Sequence, residues 1–276
     1  MILNPSSFFK QSLTAILLIL VTGFIVYSNT FQVPFVFDDQ RSIVENITIV
    51  KPSKVFYAIK LGMQSVQNRV VAYLTFALNY QFGSLNVTGY HVVNLVIHLL
   101  TALLVYFLLR LTFRTPYFRG GAQGSGSQES DLQSSAFSLQ PSAFIPLLAA
   151  LLFVIHPVQT MAVTYIIQRM ASLSTMFYLL SMVLYVKARL RMEEPGVGSK
   201  ELGVRSKESK EKKLSSVLSP QSSSLFFSVG SVLAAVLAMK TKEISFTLPL
   251  AAVLYEIFFF QGAWKRRLLY LLPLLA

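Results

Sequence analysis

The stretch YHVVNLVIHLLTALLVYFLLRLTF, Tyr90 to Phe113, holds a single Lys, Arg, Asp or Glu, Arg110. A hydrocarbon core about 30 Å thick is crossed by a helix of about 20 apolar residues, so this stretch reads as a transmembrane span. Its polar side chains His91, Asn94, His98 and Thr101 recur at spacings of three, four and three, which places them on one stripe of the helix. In lipid such a stripe must face protein or a water-filled cavity. Hydrogen bonding between helices is the plain reading, since no nearby carboxylate has the spacing of a metal ligand.

The rest of the chain agrees with a membrane solvent. Of the 276 residues 54% are hydrophobic and only 13% charged, and the mean hydropathy is +0.57. That leaves too few polar side chains to cover a water-soluble globule. The net charge of +12 lies mainly at the ends of apolar runs and between them. This is a topology signal rather than a nucleic-acid footprint, and no nucleic-acid partner is expected. The absence of cysteine excludes disulfides, thiolate metal sites and a cysteine nucleophile.

Working outward, Ser12 to Ser28 is a first span, and residues 29–89, interrupted by charges and by Pro34 and Pro52, form a large extramembrane loop. Ala143 to Ile155 with an extension to Thr160, and Met170 to Val186, make a hairpin bent near His156-Pro157. Leu225 to Met239 and Ile244 to Phe260 make a second hairpin around Lys240-Thr-Lys-Glu243. Residues 115–142, with their Gly/Ser run, read as a flexible linker, and residues 191–223, rich in Lys, Glu, Ser and Gly, as a solvated tether. The apolar run Leu268 to Ala276 stops short of a span, so the membrane domain of residues 1–276 is expected to be incomplete at its C-terminal side. The expected fold is all-α and integral to the membrane: a polytopic bundle of about six to seven transmembrane helices with a large first outer loop.

Placing the N-terminus in the cytoplasm puts sixteen of the 24 Lys and Arg residues on the inside, and five of the eight outside lie in the large loop, where charge constrains topology weakly. Residues 29–89 and both hairpin tips then share the outer side. In Val33-Pro-Phe-Val-Phe-Asp-Asp-Gln-Arg41 the adjacent carboxylates of Asp38 and Asp39 repel each other, which suits a general base or a metal ligand as well as a solvated turn. His156, Gln159 and Arg169 mark the first hairpin tip, and Lys240, Lys242 and Glu243 the second. Cations at a membrane surface serve phosphate binding or simply snorkel. Glu256, inside the last hairpin with Lys265 and Arg266 two to three turns on, reads as one half of a buried structural pair. Asn46-Ile-Thr48 and Asn86-Val-Thr88 match the glycosylation pattern, one that arises often by chance.

Val36-Phe-Asp-Asp-Gln40, Tyr73-Leu-Thr-Phe-Ala-Leu-Asn-Tyr-Gln81, Gly89-Tyr-His-Val-Val-Asn94 and His156-Pro-Val-Gln-Thr160, taken in order, resemble the transmembrane and tetratricopeptide-repeat O-mannosyltransferases and their bacterial relatives, members of the GT-C glycosyltransferase class. Lys240-Thr-Lys-Glu-Ile244 is similar to a Ser-Lys-Glu-Thr segment of that family. The resemblance implies a membrane enzyme that moves a sugar from a polyprenyl-phosphate donor to a protein or other hydroxyl acceptor outside the cytoplasm, with inversion. It implies catalytic carboxylates at Asp38 and Asp39, a leaving phosphate met by Arg69, Arg169 or Lys242, and His91, Asn94, His156, Gln159 and Glu243 as supporting polar groups. A divalent metal is left open. Met161 stands where relatives usually carry an acidic residue. The membrane implied is a bacterial inner membrane, or the endoplasmic reticulum in a eukaryote. A transporter, with the His91 stripe lining a pathway, and a non-catalytic anchor of a repeat protein are the other readings.

Overall fold

The computed structural model describes residues 5–121, 141–193 and 220–275, all of it helix, turn or irregular chain with no strand among the described residues. Most of the stretches read as linker and tether, residues 122–140 and 194–219, lie outside the described residues. Helix α1 is Pro5–Val26. The first loop then folds into three short helices, α2 (Pro52–Lys60), α3 (Gln64–Asn68) and α4 (Val70–Gly83). Next come α5 (Val87–Thr112) and α6 (Pro116–Gly121), then α7 (Pro141–Ile155), α8 (Thr160–Thr164) and α9 (Arg169–Glu193). The chain closes with α10 (Pro220–Met239), α11 (Leu248–Phe259) and α12 (Trp264–Leu275).

Two stretches are long and apolar enough to cross a membrane alone, Val87–Thr112 and Ile166–Glu193. A third candidate is the pair Phe144–Ile155 and Pro157–Thr164, bent by 54°. Gln11–Val26 and Ser223–Met239 are apolar but shorter. One of the expected spans falls short for a physical reason, at α11: the run read as continuous from Ile244 begins with a 3-10 turn at Glu243–Thr247, and the helix proper has 12 residues.

Helix α5 is the central post. Asn86 caps it, its Oδ1 accepting the Thr88 N–H at 3.1 Å, so this Asn-x-Thr works as a helix start worth about 1 kcal/mol. Asn46 does the same for the turn at Ile47–Val50. Helix α1 approaches α5 so closely that a β-carbon at Gly23 would run into Leu99. Helices α9 and α10 lie along each other through small residues: Ser181 and Ser231 bond across the pair, and Ser174 donates to the Ala238 carbonyl at 3.2 Å. Such close approach drives helix association where lipid offers no hydrophobic gain.

The break in the first hairpin explains the polar stripe of α5. Pro157 cannot continue α7, and the bend strands backbone carbonyls that lipid cannot satisfy. The Val154 carbonyl takes the Tyr27 hydroxyl at 3.1 Å and faces His98 Nε2 at 3.5 Å. The Val163 carbonyl faces His91 Nδ1 at 3.4 Å and accepts from Asn94 Nδ2 at 3.3 Å, and Asn94 Nδ2 also reaches the Ile166 carbonyl at 3.3 Å. His91, Asn94 and His98 thus meet a broken backbone, Asn94 Oδ1 in addition takes the Arg169 side chain of α9, and Thr101 donates to the Ile97 carbonyl of its own helix.

Arg169 and Arg189 mark the two ends of α9, twenty residues and about 30 Å apart. At the Arg189 end, Glu256 is fully buried and takes Arg189 Nη2 at 2.8 Å and the Tyr185 hydroxyl at 2.6 Å. The partner of Glu256 is therefore Arg189 on another helix, supplemented by Arg267 at 3.7 Å.

Candidate functional site at the loop end of the bundle

The acidic pair sits where the first loop meets the first hairpin, and the two carboxylates have different surroundings. Asp39 is fully buried. Its Oδ2 accepts the Val36 N–H at 3.1 Å and its Oδ1 accepts the Ile167 N–H at 2.8 Å. Burial raises its carboxyl above the ordinary carboxylate range, against the pull of those amides and of His91. Asp38 is exposed, and its backbone N–H donates to the Tyr165 hydroxyl at 3.2 Å. One member of the pair is thus a latch, and the other is presented to the surroundings.

Upstream the loop is pinned to α5, since the Val33 carbonyl lies 2.9 Å from His91 Nε2 and Phe35 packs edge-on against Tyr90. Downstream, Arg169 binds three elements together. Its guanidinium is fully buried and donates to Asn94 Oδ1 at 2.7 Å, Asn79 Oδ1 at 2.6 Å and the Tyr90 carbonyl at 2.9 Å, with Phe76 4.6 Å beneath it. Neutral acceptors and a ring face surround the charge, so Arg169, expected at a phosphate, has its donors occupied and acts as a fastener of α4, α5 and α9.

The second hairpin tip reaches the same end. Arg69 grips Glu243 in a two-pronged pair, Nε to Oε1 and Nη2 to Oε2, both at 3.2 Å, and the Val71 N–H donates to the Lys240 carbonyl at 3.2 Å. Glu243's own backbone N–H and the Arg69 guanidinium hold its carboxyl below the ordinary range. Lys242 is half-buried on the same turn. Asp38, Asp39, His91, Asn94 and Arg169 form one network, and Arg69 with Glu243 a second, joined through α4: Arg69 and Asn79 stand ten residues, about 15 Å, apart on it.

His156 is exposed and accepts the Val158 N–H at 3.3 Å, capping the turn at Pro157–Gln159, with Gln159 half-buried beside it. Among the described residues no three His, Asp or Glu side chains gather as metal ligands. Sequence reasoning passed over Tyr165, Asn79 and Phe37. Tyr165 lies in extended chain between α8 and the 3-10 turn at Ile166–Gln168, so no helical spacing flags it.

The chain is similar to the TMTC protein O-mannosyl-transferases. It is 33% identical over 189 residues to the protein O-mannosyl-transferase Tmtc3 of Drosophila melanogaster, covering 65% of this chain and 20% of that protein. It is 31% identical over 182 residues to TMTC4 of Mus musculus, covering 61% of this chain and 23% of that relative. The chain thus spans about a fifth of the length of these TMTC proteins. No family model matches the chain. No solved structure matches it.

Proposed function

We propose that this chain is the loop-bearing part of a membrane glycosyltransferase that moves mannose from a polyprenyl phosphate to a protein hydroxyl. The observation that carries the reading is the division of labour in the acidic pair: Asp38 is exposed and pinned at its backbone, while Asp39 is consumed by two amides. The names of the TMTC relatives supply the sugar and the acceptor class. The proposed architecture is a GT-C-like bundle of six to seven spans, with the N-terminus in the cytoplasm and the loop end on the periplasmic or lumenal side.

In this mechanism a serine or threonine hydroxyl of the acceptor attacks the anomeric carbon. The C1–oxygen bond to the acceptor forms as the C1–oxygen bond to phosphate breaks, the hydroxyl proton passes to Asp38, and polyprenyl phosphate departs. One displacement inverts the anomeric configuration. Charge gathers on the leaving phosphate, and Lys242 stabilises it as a point charge, with Arg69 available when its pair with Glu243 opens. Arg169, His91 and Asn94 keep the loop and the hairpin in register. The transfer of labelled mannose from polyprenyl phosphate to an acceptor peptide tests the reading. The Asp38→Asn variant should lose transfer by at least about a hundredfold while folding normally; retained transfer would remove Asp38 as the base.

A further inference from the structure

Phe37 has two costly properties at once. Its φ of 49° is a left-handed value that a bulky side chain rarely adopts, and its ring is 87% exposed. Strain of this kind persists only where the surroundings over-determine it, and it clusters at functional sites. Here both flanks are fixed. The Asp39 N–H donates to the Val36 carbonyl at 3.0 Å, and the Gln40 N–H to the Phe37 carbonyl at 3.2 Å. Asp39 Oδ2 holds the Val36 amide and Oδ1 the Ile167 amide, and Tyr165 holds the Asp38 amide. The kink leaves the Phe37 ring standing edge-to-face with Tyr165, centroids 6.3 Å apart at 81°, one residue from the exposed carboxylate.

We propose that Phe37, buttressed by Tyr165, is a stacking platform for the pyranose ring of a sugar, with Asp38 at its rim and Asp39 as the positioning residue that maintains the kink. A sugar ring offers a C–H face to the aromatic ring and hydroxyl edges to a carboxylate. A purely hydrocarbon occupant would enclose Asp38 without a partner. A purely charged one would leave the ring unused. The assignment of a sugar rests on the transferase reading above; the platform itself rests on the geometry.

The chain has one tryptophan, Trp264, so Trp264→Phe combined with Phe37→Trp gives a single reporter at the platform. In lipid nanodiscs, polyprenyl-phosphate mannose should shift and saturate its emission, with an affinity about two- to tenfold above that of polyprenyl phosphate lacking the sugar, the scale of an aromatic stacking contact. Equal responses to both lipids, or a response to acceptor peptide alone, would overturn the platform. Phe37→Gly supplies a second reading, because glycine accepts the positive φ without the ring. It should raise the KM for the mannose donor about tenfold and change kcat far less; an unchanged KM would also overturn the platform. Adding Asp38→Asn to the reporter separates the two proposals. It should keep the emission shift while transfer is lost, whereas active Asp38→Asn protein with an intact shift would remove the base and leave the platform.

Discussion

The Asp39 carboxylate accepts the Ile167 backbone N–H at 2.8 Å, joining the first loop to a turn 128 positions later in the chain. A buried acceptor that satisfies an amide next to a helix start costs more to lose than an exposed one. Asp39→Asn keeps one oxygen but sets an NH2 group against one of the two amides. Loss of about 1–3 kcal/mol of stability is expected, read as a fall in the thermal midpoint in detergent, while Asp38→Asn leaves the midpoint unchanged.

The same carboxylate gives a pH signature. Its folded-state pKa lies above the unfolded value of 3.8, so the folded protein holds the proton more tightly. Stability from this group is full below 3.8 and declines as pH rises through the folded value. Glu243 acts in the opposite sense: its folded pKa is depressed below 4.5, and its contribution is lost as pH falls through that lower value. Thermal midpoints measured across the acidic range should lose the declining limb in Asp39→Asn and keep it in Glu243→Gln.

Arg169 is a buried charge whose donors end on Asn79, Asn94 and the Tyr90 carbonyl. Removing Asn94 leaves the buried guanidinium one acceptor short, at a cost of about 1–3 kcal/mol. Asn94→Ala should therefore reduce the folded fraction recovered by size-exclusion chromatography. Arg169→Lys should do nearly the same, because an ammonium cannot span three acceptors placed for a planar fork.

The Arg69–Glu243 pair is two-fifths exposed on each side, and an exposed pair contributes about 0–1 kcal/mol. Its use is registration of the second hairpin tip on α4. A double-mutant cycle in Arg69→Ala and Glu243→Ala should give a coupling under about 1 kcal/mol.

How much of this was legible beforehand follows from the kind of signal each residue carries. Apolar length located α5 to within three residues at either end, and found α1, α9 and α10 with one end of each misplaced by five to seven residues, because helices run on past the apolar stretch that announces them. The stripe at His91, Asn94 and His98 was visible, yet its partner was not: the carbonyls of Val154 and Val163 become orphans only once Pro157 breaks the hairpin in three dimensions. Asp38 and Asp39 were indistinguishable as a dipeptide, since burial of one and exposure of the other depends on where Ile167 and Tyr165 return. The positive φ at Phe37 has no sequence signal, because nothing in a phenylalanine announces it. The short α11 was overestimated because the apolar Ile244–Phe260 run conceals its opening 3-10 turn.

All of this requires that the acidic pair and the second hairpin tip occupy one end of the bundle, with Glu256 and Arg267 at the other. The chain has no native cysteine, so Asp38→Cys, Lys242→Cys and Gln261→Cys can be labelled one at a time with a membrane-impermeant maleimide in sealed vesicles. Positions 38 and 242 should react from the same side and position 261 from the other; labelling of 38 and 242 from opposite sides would contradict the account.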